Sequence, residues 1–574
     1  MTNEKIDPVL NEEQKKAAFC TENAVVAAGA GSGKTLVLAN RFAWLLTEKG
    51  YKVDEILTLT FTKKAAGQMF RRIHSLLSEI AKDESGVKAE RARQALDDFV
   101  HCRIQTLDSY STSLVRQCAP RYGISPGFEI DPQRSGEIAM EESLPFLIAH
   151  RHHPAIERLY ADNRPNDIAR NIFTEIMCNY CRIDRPKDFK EDVKKQFDII
   201  CAEWKNQIDK ITSLIKEMEG QIHDSPGMCP GLVPVMDKYK KKNIAAPQAG
   251  DIRKYFDMLL DIEGESVVEK AESHHIQALL ADYLFFIAEL NEVKINRGKP
   301  QVNPVKENIK EIRALYGKFS SLAVYCMQAG FILSFASLLN ELQDRYLHRK
   351  RAEGVLTFSD VANLSRTILL EQQDIRQSEK ESFKAIMIDE FQDNNELQKD
   401  LLFLLAEKND CFSKEIPQAE DLCPGKLFFV GDEKQSIYLF RGADVSVFRK
   451  LKDEIKSENL PLKINYRSVP ALIGAFNAIF GGSNFDPKGK MSLHEKPSVF
   501  VSGLSQPLPL YEAAYAPLEA KNEGSGSLSV CILNKKDEDD LFDENDAHLS
   551  DVENEARFVA ERIERLLKEK TESG

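Results

Sequence analysis

Ala28, Gly29, Ala30, Gly31, Ser32, Gly33, Lys34 and Thr35 follow one another between an apolar run and a helical pattern. Glycines at this spacing let a backbone curl until its N–H groups face an anion, and the N-terminus of the following helix adds a favourable dipole. In such a loop Lys34 would reach the β- and γ-phosphates of a nucleotide, and the Thr35 hydroxyl would bind Mg²⁺. Ala28 stands where the usual G-x-x-x-x-G-K-[ST] pattern has its first glycine, a difference of one methyl group. A glycine-rich turn without a ligand is the bland alternative, and the strand before and helix after the loop argue against it. A phosphate loop also needs an acid at the end of a neighbouring strand. Ala385-Ile-Met-Ile supplies that strand and delivers Asp389 and Glu390 at its end. Asp389 is placed to hold the metal and Glu390 to polarise the water that attacks the γ-phosphate. An apolar run ending in Asp-Glu is common on surfaces. The phosphate loop is what makes this one informative.

These groups need a scaffold that brings residue 34 to residue 390. Ala24–Ala28 reads as a buried strand followed by a helix over Lys34–Leu46, and Ile56–Thr60 as a strand followed by a helix through Arg71. That alternation predicts a parallel sheet covered by helices. From about 120 to 350 the period becomes helical. Ile276, Leu279, Leu280, Tyr283, Leu284 and Ile287 share one helix face, and Ser225–Pro234 is a turn cluster, which together predict an insertion of two helical subdomains. Strand-like runs return at Ala385–Ile388, Leu427–Val430 and Leu462–Ile464, with a helix over Asn395–Ala406. Residues 481–526 read as loop. Leu528, Val530 and Ile532 then alternate as a strand, and Ser550-Asp-Val-Glu553 is a capping box for a helix with Val552, Ala556, Val559, Ile563 and Leu566 on one face.

The chain has 574 residues, 43% hydrophobic and 29% charged, which excludes a mainly disordered protein and fits roughly four units of ~150 residues. Apolar stretches such as Leu401–Ala406 are far shorter than the ~20 residues of a membrane helix, and Met1–Gln14 has no basic-then-apolar leader. The expectation is a cytoplasmic protein whose eleven cysteines are reduced and mostly buried. Net charge is −13, but Asp537–Glu555 alone carries ten acidic residues and no Lys or Arg. A local basic groove is therefore compatible with the acidic total.

Ile388-Asp-Glu-Phe-Gln-Asp393 resembles the Walker B motif of UvrD-like superfamily 1 helicases, and other motifs of that family occur in its order. Leu10-Asn-Glu-Glu-Gln14 is similar to the Q motif, and Leu59-Thr-Phe-Thr-Lys-Lys-Ala-Ala66 to motif Ia. Ile104-Gln-Thr-Leu-Asp-Ser-Tyr110 resembles the motif that opens the helical insertion. The run from Val430 to Asp444 is similar to motif III, and Asn465-Tyr-Arg-Ser468 to motif IV. The long insertion and the wording of motif III look closest to the AddA/RecB branch, the helicase subunits of recombination helicase–nucleases. The resemblance covers Leu10 to Ser468. It implies an α/β fold: a RecA-like P-loop NTPase domain (1–115 and 355–460) interrupted by a helical insertion (116–354) and followed by a partial second RecA-like domain (461–574).

The same resemblance implies an ATP-dependent, 3′-to-5′ DNA helicase or translocase acting in recombination and double-strand-break repair. ATP and Mg²⁺ would be its cofactors; single-stranded DNA, duplex ends and a nuclease or helicase subunit would be its partners. Gln14 would read adenine, with Tyr466 stacked on it. Gln435 would sense the γ-phosphate, and Arg467 would stabilise charge on the transferring phosphoryl group. Phe61, Thr62, Lys64, Tyr438, Phe440 and Arg441 would line the single-strand path, where aromatic faces stack on bases and cations meet phosphates. Core packing is the plain alternative for Phe61 and Phe440. The sequence departs from the family pattern in three places. Asp108 replaces a histidine, Leu36 an arginine, and nothing after Ser468 resembles motifs V and VI. The expectation is thus an N-terminal fragment that hydrolyses ATP weakly. A non-catalytic nucleotide- and DNA-binding scaffold, and a P-loop ATPase acting on protein, are the rival readings.

Smaller signals read as structural. Cys178 and Cys181 form a lone C-x-x-C without a second pair. His150, His152 and His153 mark an exposed helix end. Lys238-Tyr-Lys-Lys-Lys242 is a solvated charge run with a possible duplex-DNA role, and the acidic run is a surface loop.

Overall fold

A computed structural model describes residues 10–83, 85–224, 231–262, 264, 266–294, 304–481, 510–513, 515–526, 528 and 551–572. Its centre is a six-stranded, wholly parallel sheet: β1 (Ala24–Ala28), β2 (Ile56–Thr60), β3 (Arg103–Thr106), β4 (Ala385–Ile388), β5 (Leu427–Gly431) and β6 (Asn459–Leu462), in the order β3-β2-β4-β5-β1-β6. Side chains alternate between its faces, as the two-residue period of a strand requires. Val26, Met387, Phe428 and Val430 enter one core with Phe42 and Leu46 of the helix Lys34–Thr47 and Met69 and Ile73 of the helix Lys63–Asp83. Val25, Leu57, Ile386, Ile388 and Phe429 enter a second core, beneath the helices Leu107–Cys118, Phe358–Glu371 and Glu396–Ala406. Apolar strands with helices on both faces are the α/β architecture expected from the alternation.

Three elements differ from the sequence expectation. The strand predicted at Leu462–Ile464 begins earlier, at Asn459, and pairs with β1; a second short strand, Ile464–Asn465, pairs with Glu519–Ala520. Pro461 obscured β6, yet a proline is tolerated because β6 is an edge strand and its missing donor costs no ladder bond. β3 is short and half-exposed, so it carries little hydrophobic pattern. The helix expected to end near Arg71 continues to Asp83. The Asp389-bearing strand β4 is also not adjacent to β1, because β5 lies between them.

The helical region leaves after the short strand Glu129–Ile130 and returns at Val355–Leu356, and these two segments pair in parallel. It holds two cores. One continues the sheet's second core through Phe146, Phe173 and Tyr346. The other is separate and spans residues 197–333 around Trp204. The helix Ala329–Glu353 joins them, giving Leu333 to the separate core and Leu342 and Leu347 to the sheet side. Of the face predicted around Ile276, residues Ile276, Leu280, Tyr283 and Ile287 are buried, whereas Leu279 and Leu284 are half-buried.

The helix Asp551–Glu572 forms, but Val552, Val559, Ile563 and Leu566 are exposed on it. Ser550, Val530, Ile532, residues 225–230 of the turn cluster and residues 537–550 of the acidic run lie outside the described residues. Among the described cysteines four are buried, four are half-buried and Cys178 is exposed, so the thiols are less buried than expected; all are free. No described group of His, Cys, Asp or Glu is arranged to hold a metal by itself. His152 is exposed as expected and His150 half-buried, whereas His153 is buried and caps the helix Pro154–Tyr160, which corrects the expectation for that residue. Lys238 pairs with Glu289, and Lys240 with Glu219 at 3.5 Å. No single described helix is long and apolar enough to cross a bilayer.

Trp204 is fully buried, donates its indole N–H to the Pro247 carbonyl at 2.8 Å and packs on Phe319. Trp204→Ala is expected to cost about 3–5 kcal/mol in the separate helical core. Hydrogen exchange should detect the loss in residues 197–333 while leaving the sheet protected.

Candidate active site

Parallel strands end on one side of their sheet, so β1, β2, β4 and β5 deliver the residues that follow them to one edge. At that edge Gly33 is the N-cap of the helix Lys34–Thr47, with φ of 89°, and no side chain caps this helix. The first amides of a helix have no intrahelical acceptor; here they belong to Lys34 and Thr35. Gly31 is also left-handed, at φ 69°. A Cβ on Gly31 would come within 2.7 Å of Asn465 Nδ2, and one on Gly33 within 2.8 Å of Gln14 Nε2. Only glycine fits either place. The buried Ser32 Oγ has no hydrogen-bond partner among the described residues. Open amides, crowded glycines and an unused hydroxyl fit the phosphates of a nucleotide.

Two segments pin this loop. Gln14 is almost fully buried; its Nε2 donates to the Ser32 carbonyl at 2.9 Å and its Oε1 accepts from the Asn11 amide at 3.0 Å. Asn11 caps the helix Glu12–Ala18 and donates from Nδ2 to the Tyr466 hydroxyl at 2.7 Å. From the other side, Asn465 Nδ2 donates to the Ala30 carbonyl at 2.6 Å, and the Tyr466 amide donates to the Gly31 carbonyl at 2.8 Å. Gly31, Gly33, Lys34, Thr35, Arg72, Glu390, Tyr466 and Arg467 line a cavity of about 220 Å³. Gln14, Asp389 and Gln435 lie outside that lining. Gln435 donates Nε2 to Asp432 Oδ2 at 2.8 Å.

Lys34 Nζ meets Glu390 Oε2 in an ion pair at the mouth of the loop. Glu390 holds φ of 52°, a left-handed backbone that costs a glutamate roughly 1 kcal/mol or more. Next to it Asp389 is 6% exposed, and burial and the Glu390 charge raise its carboxyl to about 6 against the pull of Lys34. Asp393 is raised to about 6 by the same two causes. Three carboxylates thus share one ammonium, a surplus of negative charge that a divalent cation would relieve. Asp389 and Thr35 carry oxygen donors of the kind Mg²⁺ takes.

The proposed DNA side chains gather on the same sheet edge. Phe61 stacks obliquely on Tyr438 with ring centroids 4.6 Å apart, and Tyr438 lies 5.8 Å from Phe440. The Arg441 guanidinium is 5.9 Å from the Phe61 ring. Phe440 is 82% exposed and Phe61 half-buried, so neither is a core residue. Thr62 and Lys64 are exposed, and Thr62 Oγ1 accepts from the Ala65 amide at 3.1 Å. Burial raises the Asp108 carboxyl, and nearby Arg441 partly offsets that rise.

Residues 10–456 match the UvrD/REP helicase N-terminal domain. The chain belongs to this helicase family. Its curated relatives include an ATP-dependent helicase/nuclease subunit of Lactococcus lactis subsp. lactis (strain IL1403), 25% identical over 99% of this chain and 46% of that protein. The ATP-dependent helicase/nuclease subunit of Staphylococcus aureus (strain USA300 / TCH1516) is 24% identical over 97% and 44%. The exonuclease/helicase subunit RexA of Streptococcus pneumoniae serotype 4 (strain ATCC BAA-334 / TIGR4) is 25% identical over 90% and 43%. The chain spans less than half the length of these relatives.

Against the helicase motifs, the sequence reading overlooked Arg72, Gln392 and Asp432 and gave Asn465 no task. Gln392 and Asn465 stand inside the helicase-like motifs, so their position is visible in the sequence; what hides their tasks is that Asn465 meets backbone groups of the distant loop and Gln392 joins two carboxylates to the backbone of a distant strand end. Arg72 is one of two adjacent arginines in a helix, and nothing local distinguishes it.

The two raised carboxyls give a pH dependence. Between the unfolded value near 3.8 and about 6 the folded protein binds more protons than the unfolded chain, so these groups make unfolding easier as pH rises through that window. Asp389→Asn is expected to stabilise the nucleotide-free protein at pH 7.5 by on the order of 1–3 kcal/mol, seen as a higher melting temperature, with the gain fading toward pH 4. Thermal melts across pH 4–8 without Mg²⁺ check it.

Proposed function

We propose that this chain is the nucleotide-binding part of an ATP-dependent DNA helicase or translocase that moves 3′ to 5′ on single-stranded DNA. The observation that carries the reading is the meeting of Lys34 with Glu390 at a glycine cradle whose sheet edge also bears Phe61, Tyr438, Phe440 and Arg441. A nucleotide switch and a base-stacking surface on one sheet edge are what a motor needs to convert hydrolysis into stepping. Residues 1–115 and 355–460 form the first RecA-like domain in this reading, 116–354 the insertion, and 461–574 the start of a second domain.

The amides of the loop and Lys34 bind the phosphates, and Tyr466 and Arg467 close the cavity over them. Lys34 leaves Glu390 for the phosphates, which frees the carboxylate to take a proton from the attacking water. Mg²⁺, held by Thr35 and Asp389, would supply charge neutralisation on the β- and γ-oxygens. Arg467 steadies the charge that develops on the transferring group, and Gln435 reports the γ-phosphate once it turns from Asp432. Gln14 orients the loop and presents its remaining amide capacity to adenine. The relatives are named as subunits of an ATP-dependent helicase/nuclease, which supports a partner chain; duplex ends as the entry point, and work in recombination and double-strand-break repair, are proposed from the motif resemblance.

Lys34→Ala is expected to abolish ATP hydrolysis and to weaken nucleotide binding at least tenfold. DNA-stimulated phosphate release retained in that variant would refute the assignment of the loop. Phe440→Ala should weaken oligothymidylate binding by about 1–3 kcal/mol, measured by anisotropy, without lowering the melting temperature of a protein in which that ring is exposed. Binding should also fall steeply with salt, as phosphate contacts require.

A further inference from the structure

Gln392 makes contacts that neither nucleotide binding nor base stacking uses directly. It is 1% exposed and sits in the short turn Phe391–Asp393 after Glu390. Its Nε2 donates to Glu390 Oε2 at 3.0 Å and to Asp393 Oδ2 at 3.3 Å. Its Oε1 accepts from the Asp432 amide at 2.8 Å, and its own carbonyl accepts from Ser436 Oγ at 3.1 Å. Asp432 and Ser436 bracket the turn Glu433–Gln435, and two residues beyond Ser436 is Tyr438, which stacks on Phe61. One buried residue therefore touches the carboxylate that faces Lys34 and, through two bonds, the segment that bears the exposed aromatics. The fit is close: a Cβ on Gly431 would come within 2.8 Å of Gln392 Oε1, so only a glycine there admits this side chain.

The geometry points to Gln392 as the positioning residue that couples occupancy of the Phe61–Tyr438–Phe440 surface by single-stranded DNA to the orientation of Glu390 beside Lys34. Hydrogen bonds inside a buried site are costly to leave unmade, and more so where the acceptor is charged. A shift of the 432–438 segment cannot leave Glu390 in place without breaking some of them. Gln392 touches neither ligand. It acts through Glu390 on one side and through Asp432 and Ser436 on the other, which is the form a coupling between two sites must take. The inference rests on the motor reading above and deepens it by naming how the two sites communicate.

The test measures coupling by binding, so that it does not depend on turnover. With the 574-residue chain, affinity for a fluorescent non-hydrolysable ATP analogue in Mg²⁺ is titrated with and without saturating oligothymidylate. In the wild type the two affinities should differ about tenfold, within the usual range of coupling. Gln392→Met, which keeps the volume and loses every side-chain hydrogen bond, should bring the ratio within twofold of one, while each ligand alone binds within threefold of wild type. Gln392→Glu keeps the acceptor for Asp432 but not the donor to Glu390, and should be equally uncoupled. Ser436→Ala removes a single link from the surface of the network and should reduce the ratio partially, which serves if the core variants fail to fold. A wild-type ratio retained in Gln392→Met, or a wild type that binds both ligands independently, overturns the inference. Loss of both affinities in a folded Gln392→Met also overturns it, since that is a structural role. A wild type that binds neither ligand removes the motor reading itself, and this inference with it.

Discussion

The ion pair between Lys34 and Glu390 joins residues 356 positions apart, and the rest of the architecture exists in relation to it. Both follow the carboxyl end of a strand, so the sheet brings them to one edge because β1 and β4 run the same way. Parallel strands need long crossovers. One of those crossovers here contains the whole helical region, which intervenes between β3 and β4 without displacing the edge. Pairing of Glu129–Ile130 with Val355–Leu356 closes the excursion where it begins, which keeps the sheet register independent of the size of what is inserted.

Much of this was legible because the relevant signals are local. A strand of continuous apolar residues, a glycine run and a lysine at a helix start lie close together in the chain, and β1, β2 and β4 have the bounds their apolar runs imply. The same holds for Asn395–Ala406, whose cap and helix follow from an Asn–Gln capping box. The misses have physical reasons. β6 carries a proline, which a central strand would exclude but an edge strand permits. β3 is an edge with Arg103 and Gln105 on it and little apolar area to betray it. Strand order is non-local, so nothing in the sequence said that β5 would separate the loop-bearing strand from the acid-bearing one. Which partner each glutamine meets is equally invisible in a linear pattern: Gln14 reaches the Ser32 carbonyl, whereas Gln392 and Gln435 reach carboxylates.

The electrostatics around the pair are unbalanced. Asp389 and Asp393 are both driven upward by burial and by Glu390, and a single ammonium faces all three carboxylates. Elsewhere the chain treats buried charge differently: Glu407, with no exposed surface, is matched by Arg376 at 2.8 Å and Lys380 at 3.0 Å, and Lys350 is matched by Asp360. Buried charges are tolerated when paired. The contrast marks the sheet edge as the place where the protein forgoes internal neutrality, as a site that expects an external cation must.

Only Lys463 and Ile464 separate the last residue of β6 from Asn465, whose amide grips the Ala30 carbonyl while the following Tyr466 holds Gly31. The linkage is therefore very stiff. Tension applied to the backbone past Ser468 has almost no slack to take up before it reaches the glycine loop, and a loop that tightens must in turn tug on that same strand exit. Force and chemistry share one short tether.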